Sequence, residues 1–433
     1  IKVSNQIPIK AKVGYMSDIN LLEVGFESTL GSDEIIGILE SISARMPFFR
    51  RKNGDFFQLD YEKLSLGDLV SSLGFSETEI KSGRKLLSQN NAFYLSGLSQ
   101  TGLIESDAEF DRFIDGIKKT EIKIPEHIDK VLRGYQREGV RWLAQLSTYG
   151  FGGILADDMG LGKTVQTIAL LLHRAELGPS LVVAPKSLVL NWENELKKFA
   201  PSLRAININK EKNKKMLVEG AREGDVVITT YGVLVTQKDT LTRKNWNVIC
   251  LDEAHSIKNR MTRTSRSAMA LKGDAKVILT GTPLQNHLGE MWNLFQFINP
   301  GMLGPWQQFV DKYIKSPWDE MIQKELKDRT LPFILRRTKE EVLDDLPEKI
   351  SYEQMVELSD EELQIYEKIR KDVELKFKKR KTKAEREAAK SLDLSFFQEL
   401  TKLRLLANSV SLVYPEWKPE SSKVAALRDI LTS

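Results

Sequence analysis

The chain has 433 residues, 41% of them hydrophobic and 29% charged, with 64 Lys and Arg against 60 Asp and Glu, a formal net charge of +4. That length predicts about three domains, no apolar run approaches the roughly 20 residues of a membrane-spanning helix, and a charge this small does not by itself demand a nucleic-acid partner. A single cysteine, Cys250, inside the apolar run NVICL excludes a disulfide framework and favours a soluble protein in a reducing, intracellular setting with no membrane partner.

Four histidines, His127, His173, His255 and His287, are scattered without metal-ligand spacing, so no zinc site is expected. The chain opens at Ile1 without an initiator Met or a signal-like segment, which suggests a piece of something longer.

Residues 1–120 mix β-like and helical runs and are expected to form an accessory α+β region. Within them FFRRKNGDFFQL reads as a hairpin, with Asn53-Gly54 suited to a type I′ turn. The next segment, SETEIKSGRKLLSQNNAFYLSG, carries both periodicities and no recognisable chemistry.

From Leu132 onward GGILA, SLVVA, RAINI, DVVITT, NVICL and KVILT are short apolar runs separated by helical or loop segments. Continuous apolar runs of that length suit strands buried on both faces, so residues 121–304 predict an α/β parallel sheet with helices on both sides. Ligands of such sheets bind at the carboxyl ends of the strands. After Pro300 the β-like runs stop. Residues 305–420 are expected to be a helical protrusion, with EELQIYEKIRKDVELKFKKRKTKAEREAAK as a long solvated helix, and residues 421–433 to open something further.

Two stretches carry chemistry. The first, GGILADDMGLGKT, ends like a phosphate loop, yet the common pattern G-x-x-x-x-G-K-[ST] would place its first glycine at Asp157. Gly160 and Gly162 supply the bend and close approach, and a helix from Lys163 turns its N-terminus toward an anion. Lys163 is then placed for the β- and γ-phosphates of ATP and Thr164 for Mg2+. The second stretch, Asp252-Glu253-Ala254-His255, leaves the strand NVICL. Asp252 can hold Mg2+ through water, and Glu253 can orient and polarise an attacking water.

With both stretches placed, the chain from Leu132 to Leu346 closely resembles the SWI/SNF-type family of DNA-dependent ATPases of helicase superfamily two. LRGYQREGVRWL, DDMGLGKT, LVVAPKSLVLNW, ITTYGVL, LDEAHSIKN, LTGTPLQNHLGEMWNLFQFINP and ILRRTKEEV…LPEK follow in family order. The acidic residue where the common loop has glycine is itself usual in that family.

The resemblance implies a RecA-like first motor lobe that binds ATP and Mg2+ and moves along double-stranded DNA without separating its strands. It implies that Gln136 reads adenine and that Asp157, Asp158, Met159, Gly160, Leu161, Gly162, Lys163 and Thr164 form the nucleotide loop. Lys186, Ser187, Thr229, Thr230 and Tyr231 would grip one strand's phosphates, which positions DNA without reading sequence. His255, Thr280 and Thr282 would couple nucleotide state to DNA.

The first 120 residues resemble, more loosely, the region before the motor in bacterial members. A second RecA-like lobe in cis, beginning near residue 421, would supply arginines to the γ-phosphate, so residues 1–433 alone are expected to hydrolyse ATP weakly. DNA-bound proteins such as a polymerase or nucleosome are implied as cargo. The setting would be cytoplasmic, at the bacterial nucleoid, or nuclear in a eukaryote. A nucleotide-gated DNA- or protein-binding module without turnover is the alternative, and a strand-separating helicase fits the series less well. The basic run Lys376 to Glu387 could touch nucleic acid, although Glu374, Glu385 and Glu387 favour a solvated face.

Overall fold

The computed structural model describes residues 3–4, 8–43, 46–59, 69–70, 72–281, 288–342, 353–378 and 389–432. Two compact units divide it, Ile1–Asp345 and Leu346–Ser433. The functional divisions expected at residues 120, 304 and 420 are proposals that these units do not decide.

In the first unit, strands Ile9–Met16 and Leu21–Ser28 pair antiparallel, with Arg84–Ser88 antiparallel and Glu105–Ser106 parallel at the two edges. Helix Ala108–Lys118, N-capped by the Asp107 side chain on the Phe110 N–H at 2.7 Å, buries Phe110, Phe113, Ile114 and Ile117 in the adjoining core. Strands Phe48–Arg50 and Phe56–Gln58 form the expected hairpin, but its turn is not type I′. Gly54 alone takes positive φ (+90°), while the Asn53 side chain accepts the Asp55 N–H at 3.0 Å. An asparagine that can bond its own backbone two residues on holds a wider turn, with Arg51 N–H to Asp55 O at 2.8 Å.

All six expected strands join one parallel sheet: β1 Gly153–Leu155, β2 Ser180–Ala184, β3 Arg204–Asn207, β4 Asp225–Thr230, β5 Asn245–Asp252 and β6 Lys272–Leu279. A seventh, β7 Ile334–Leu335, completes the order β3-β4-β2-β5-β6-β1-β7. This corrects the expectation that strands end at Pro300; two residues are too few to show a pattern.

The strands alternate between two cores. Ile154, Leu181, Val183, Ile249, Leu251 and Ile278 face one, while Leu155, Val182, Ala184, Val248, Cys250 and Val277 face the other. Helices α1 Gly134–Thr148, α2 Lys163–His173 and α3 Val189–Phe199 send Leu143, Ile168 and Trp192 into the second core. Helix α4 Leu288–Ile298 buries Leu294 and Phe295 in the first. The register sets Asp252 beside Leu279 and Leu279 beside Leu155, so the carboxyl ends of β5, β6 and β1 finish level.

In the second unit, helices Asp360–Lys378 and Ala389–Asn408 pack Ile369, Val373, Leu403 and Leu406 together with Val410. The expected solvated helix therefore has a buried face. Glu362, 2% exposed, accepts the N–H groups of Ser359 and Ser422 and ties helix Ser422–Thr432 to the pair. Residues 379–387 of the basic run lie outside the described residues. No helix among the described residues is long and apolar enough to cross a membrane.

Candidate active site

The loop between β1 and α2 bends at two glycines, Gly160 at φ +90° and Gly162 at φ +75°. Left-handed φ suits glycine, and at Gly162 a Cβ would also strike the Gln136 amide. Lys163 opens α2, and its ammonium lies on the carbonyls of Asp157 at 2.7 Å and Asp158 at 3.3 Å. Burial pushes that ammonium below its ordinary value, against the opposing pull of Glu253, Asp157, Asp252 and Asp158. Thr164 follows on the first turn of the same helix.

Asp157 does not face the anion cradle. Its carboxylate is fully buried on Arg337, with Nη2 to Oδ2 at 2.5 Å, Nε to Oδ1 at 3.0 Å and the Arg337 N–H to Oδ1 at 3.1 Å. Arg337 also donates to Gln166 Oε1 at 2.9 Å and to the Tyr135 carbonyl, over whose ring its guanidinium lies at 5.2 Å. Asp158 accepts the Lys339 N–H at 3.2 Å. The acidic pair therefore clamps the loop to the segment after β7, while the anion side keeps the glycines and Lys163.

Gln136 is 8% exposed, accepts the Arg133 N–H at 2.9 Å and donates to the Leu161 carbonyl at 3.1 Å. In this state it braces the loop. Met159 is 60% exposed at the rim, and a Cβ on Gly281 would lie 2.8 Å from its Cγ and 3.7 Å from Lys163 Nζ. Thr280, the first residue after β6, thus delivers the chain to the lysine. Thr282 lies outside the described residues.

At the end of β5 Asp252 is buried, with Oδ2 accepting the Trp192 indole N–H at 2.8 Å and its carbonyl accepting the Tyr231 hydroxyl at 2.7 Å. Burial pushes the Asp252 carboxyl above its usual range, Trp192 pulls it back, and Glu253 pushes it up again. Glu253 sits at φ +49°, ψ 57°, one of two described non-glycine residues with positive φ, and its carboxylate is 3.7 Å from the His255 ring. Carboxylate and threonine hydroxyl oxygens, such as those of Asp252 and Thr164, are donors of the kind that suit Mg2+.

An acid whose folded value is raised holds a proton that the unfolded chain has released. Its contribution to stability is therefore lost as pH rises from 3.8 through the folded value. Asp252→Asn is expected to stabilise the nucleotide-free protein at neutral pH by about 0.5–2 kcal/mol, the range of single stabilising substitutions. Denaturant unfolding across the acidic range should show that gain together with a flatter pH dependence.

The five residues expected on DNA separate. Lys186 and Ser187 are exposed beyond β2, and Thr230 is half-buried, capping a helix through the Val233 N–H. Thr229 is fully buried with no partner for its hydroxyl among the described residues, and Tyr231 is committed to Asp252. Both side chains therefore turn into the fold rather than toward solvent.

Residue-by-residue reading missed Arg337, Gln166 and Trp192. One signal was present: Gly139 sits within helix α1, where glycine disfavours helix, and a Cβ there would collide with Gln166 Oε1 and come within 2.8 Å of Arg337 Nη2.

A family model of the SNF2-related domain matches residues 135–412, and one of the bacterial SNF2 helicase-associated region matches residues 1–125. YwqA of Bacillus subtilis, whose name assigns it provisionally to the ATP-dependent helicases and translocases, is 39% identical over 315 residues. That alignment covers 67% of this chain and 34% of YwqA. The TATA-binding protein-associated factor MOT1 of Saccharomyces cerevisiae is 33% identical over 362 residues, covering 76% of this chain and 19% of MOT1. The chain thus spans about a third or less of the length of these relatives. Among solved structures, the Sulfolobus solfataricus SWI2/SNF2 ATPase core in complex with dsDNA aligns at 33% identity and a TM-score of 0.49, covering 72% of this chain and 66% of that one. With its SNF2-related match across well over half its residues, preceded by the bacterial SNF2-associated region, the chain belongs to the SNF2 family of ATP-dependent helicases and translocases.

Proposed function

We propose that the chain is the ATP-binding lobe of a DNA-stimulated ATPase that translocates on, or remodels proteins bound to, double-stranded DNA. One observation carries this reading: the Lys163 ammonium lies on a glycine-bent loop after β1, under the combined charge of Asp252 and Glu253 at the end of β5. Two strand ends separated only by β6 are about 10 Å apart, close enough for side chains from both to converge on one bound group.

In this reading Gln136 exchanges its loop contacts for the adenine edge, Gly160 to Thr164 enclose the phosphates, and Lys163 moves from carbonyls to phosphate oxygens. Thr164 and Asp252 would hold Mg2+, which when bound neutralises phosphate charge. Glu253 accepts the proton of the attacking water. Lys186, Ser187 and Thr230 would contact DNA phosphates, with His255, Thr280 and Thr282 relaying nucleotide state.

Arg337 is committed to Asp157, so we assign the γ-phosphate arginine to a second RecA-like lobe in cis and expect slow hydrolysis by residues 1–433 alone. The bacterial-type region at residues 1–125 supports a cytoplasmic, nucleoid setting.

The test is ATP hydrolysis by the full-length protein with and without duplex DNA. Strong stimulation is expected. A protein that binds the duplex in a nucleotide-dependent way, yet hydrolyses no ATP in its presence, is a gated binding module instead.

A further inference from the structure

The ion pair between Asp157 and Arg337 joins residues 180 positions apart inside the core. A buried pair of this kind is weak evidence for stability, because desolvation offsets most of the attraction. What distinguishes this one is where its other bonds lead. The carbonyl of the same Asp157 receives the Lys163 ammonium at 2.7 Å. Gln166, fully buried on α2, accepts from Arg337 and donates to Asp157 Oδ2 at 3.3 Å and to the carbonyls of Leu161 and Gly162 at 3.4 and 3.3 Å. Both ends of the phosphate loop therefore hang on one guanidinium.

We propose that Arg337 is a positioning residue for ATP: by fixing the Asp157 carboxylate it sets the Asp157 peptide, and through it the station from which Lys163 reaches the phosphates. Accepting the ATP site proposed above, the acid in place of the common first glycine is the receptor for this clamp. A guanidinium meets the carboxylate with two N–H groups, which fixes the plane of the acid as well as its charge. Lysine at 337 keeps the charge and loses the fork.

The test uses the full-length protein and a fluorescent ATP analogue with Mg2+. D157N/R337Q removes both charges and leaves no buried ion unpaired. With a melting temperature near wild type, it is expected to bind the analogue about 10-fold or more weakly, as when groups that orient a ligand are removed. R337K should recover part of that loss. In a K163A background D157N/R337Q should add no further loss, because Lys163 is what the pair positions. A folded D157N/R337Q that binds like wild type, or losses that simply add to that of K163A, overturns the proposal. If D157N/R337Q does not fold, R337K carries the same comparison. K163A keeps the two readings apart: wild-type binding by K163A sinks the ATP site itself, whereas weak binding by K163A with unchanged D157N/R337Q sinks only the clamp.

Discussion

Glu253→Gln in the full-length protein is expected to lower ATP hydrolysis by about 10²–10⁴-fold while ATP–Mg affinity stays close to wild type, the range for removal of a general base. Glutamine keeps the shape and polarity of the side chain and loses its ability to take a proton. The backbone argues that this side chain is held in place for a purpose. At φ +49° and ψ 57° a non-glycine residue pays of order 1–3 kcal/mol, and such strain persists only where surrounding structure imposes it. Here the hydrogen-bonded end of β5 imposes it: Asp252 is anchored by Trp192 and Tyr231, and the chain turns at the next residue. Glu253 also contributes first among the acids that hold up the Lys163 ammonium, so its charge acts on the phosphate side of the site. Equilibrium binding and single-turnover hydrolysis separate the outcomes. Equal loss of affinity and turnover would make Glu253 a binding residue, and unimpaired hydrolysis would remove it from the chemistry.

The sheet was legible because each strand is buried on both faces, which leaves a continuous apolar run such as LVVA or VICL in the sequence. The phosphate loop and the Asp252-Glu253 pair were legible because their chemistry is local: glycine, lysine and carboxylates act within a few residues of one another. Whatever depends on a partner far along the chain was not. Asp157 looked like a misfit because its receptor is Arg337, and spacing reports periodicity rather than long-range pairing. Trp192 reads as an ordinary core residue on an amphipathic helix, although its indole N–H holds the Asp252 carboxylate. Thr229 and Tyr231 look like polar residues at a strand end, and only the depth of β4 shows that they turn inward. The strand β7 escaped notice because two residues carry no pattern, yet through Leu335 and Arg337 its segment accepts the N–H groups of Ala156 and Asp158.

Phe333→Ala is expected to destabilise the protein by about 3–5 kcal/mol, the usual range for removing a buried aromatic ring. The ring is fully buried and meets Phe93 at 5.4 Å, Phe151 at 5.8 Å and Phe295 at 6.4 Å, each nearly edge-to-face. Such contacts add to the area term, and three partners on different elements limit how far the site can collapse around a cavity. Phe93 belongs to helix Ala92–Gln100 of the N-terminal region, Phe151 precedes β1, and Phe295 lies on α4. One side chain therefore joins the N-terminal region to the sheet that carries the loop after β1, and it does so immediately before β7. Its loss should loosen Ile334 and Leu335 from β1 and weaken the hold of Arg337 on Asp157 four residues downstream. Denaturant unfolding of the full-length protein should show the stability loss. Hydrogen exchange at the Ala156 and Asp158 amides, which bond to Leu335 and Arg337, should rise with it. A loss below about 1 kcal/mol would show a ring whose neighbours close over the gap. Unchanged exchange at those two amides despite a large loss would show that β7 holds the phosphate loop without help from the aromatic cluster.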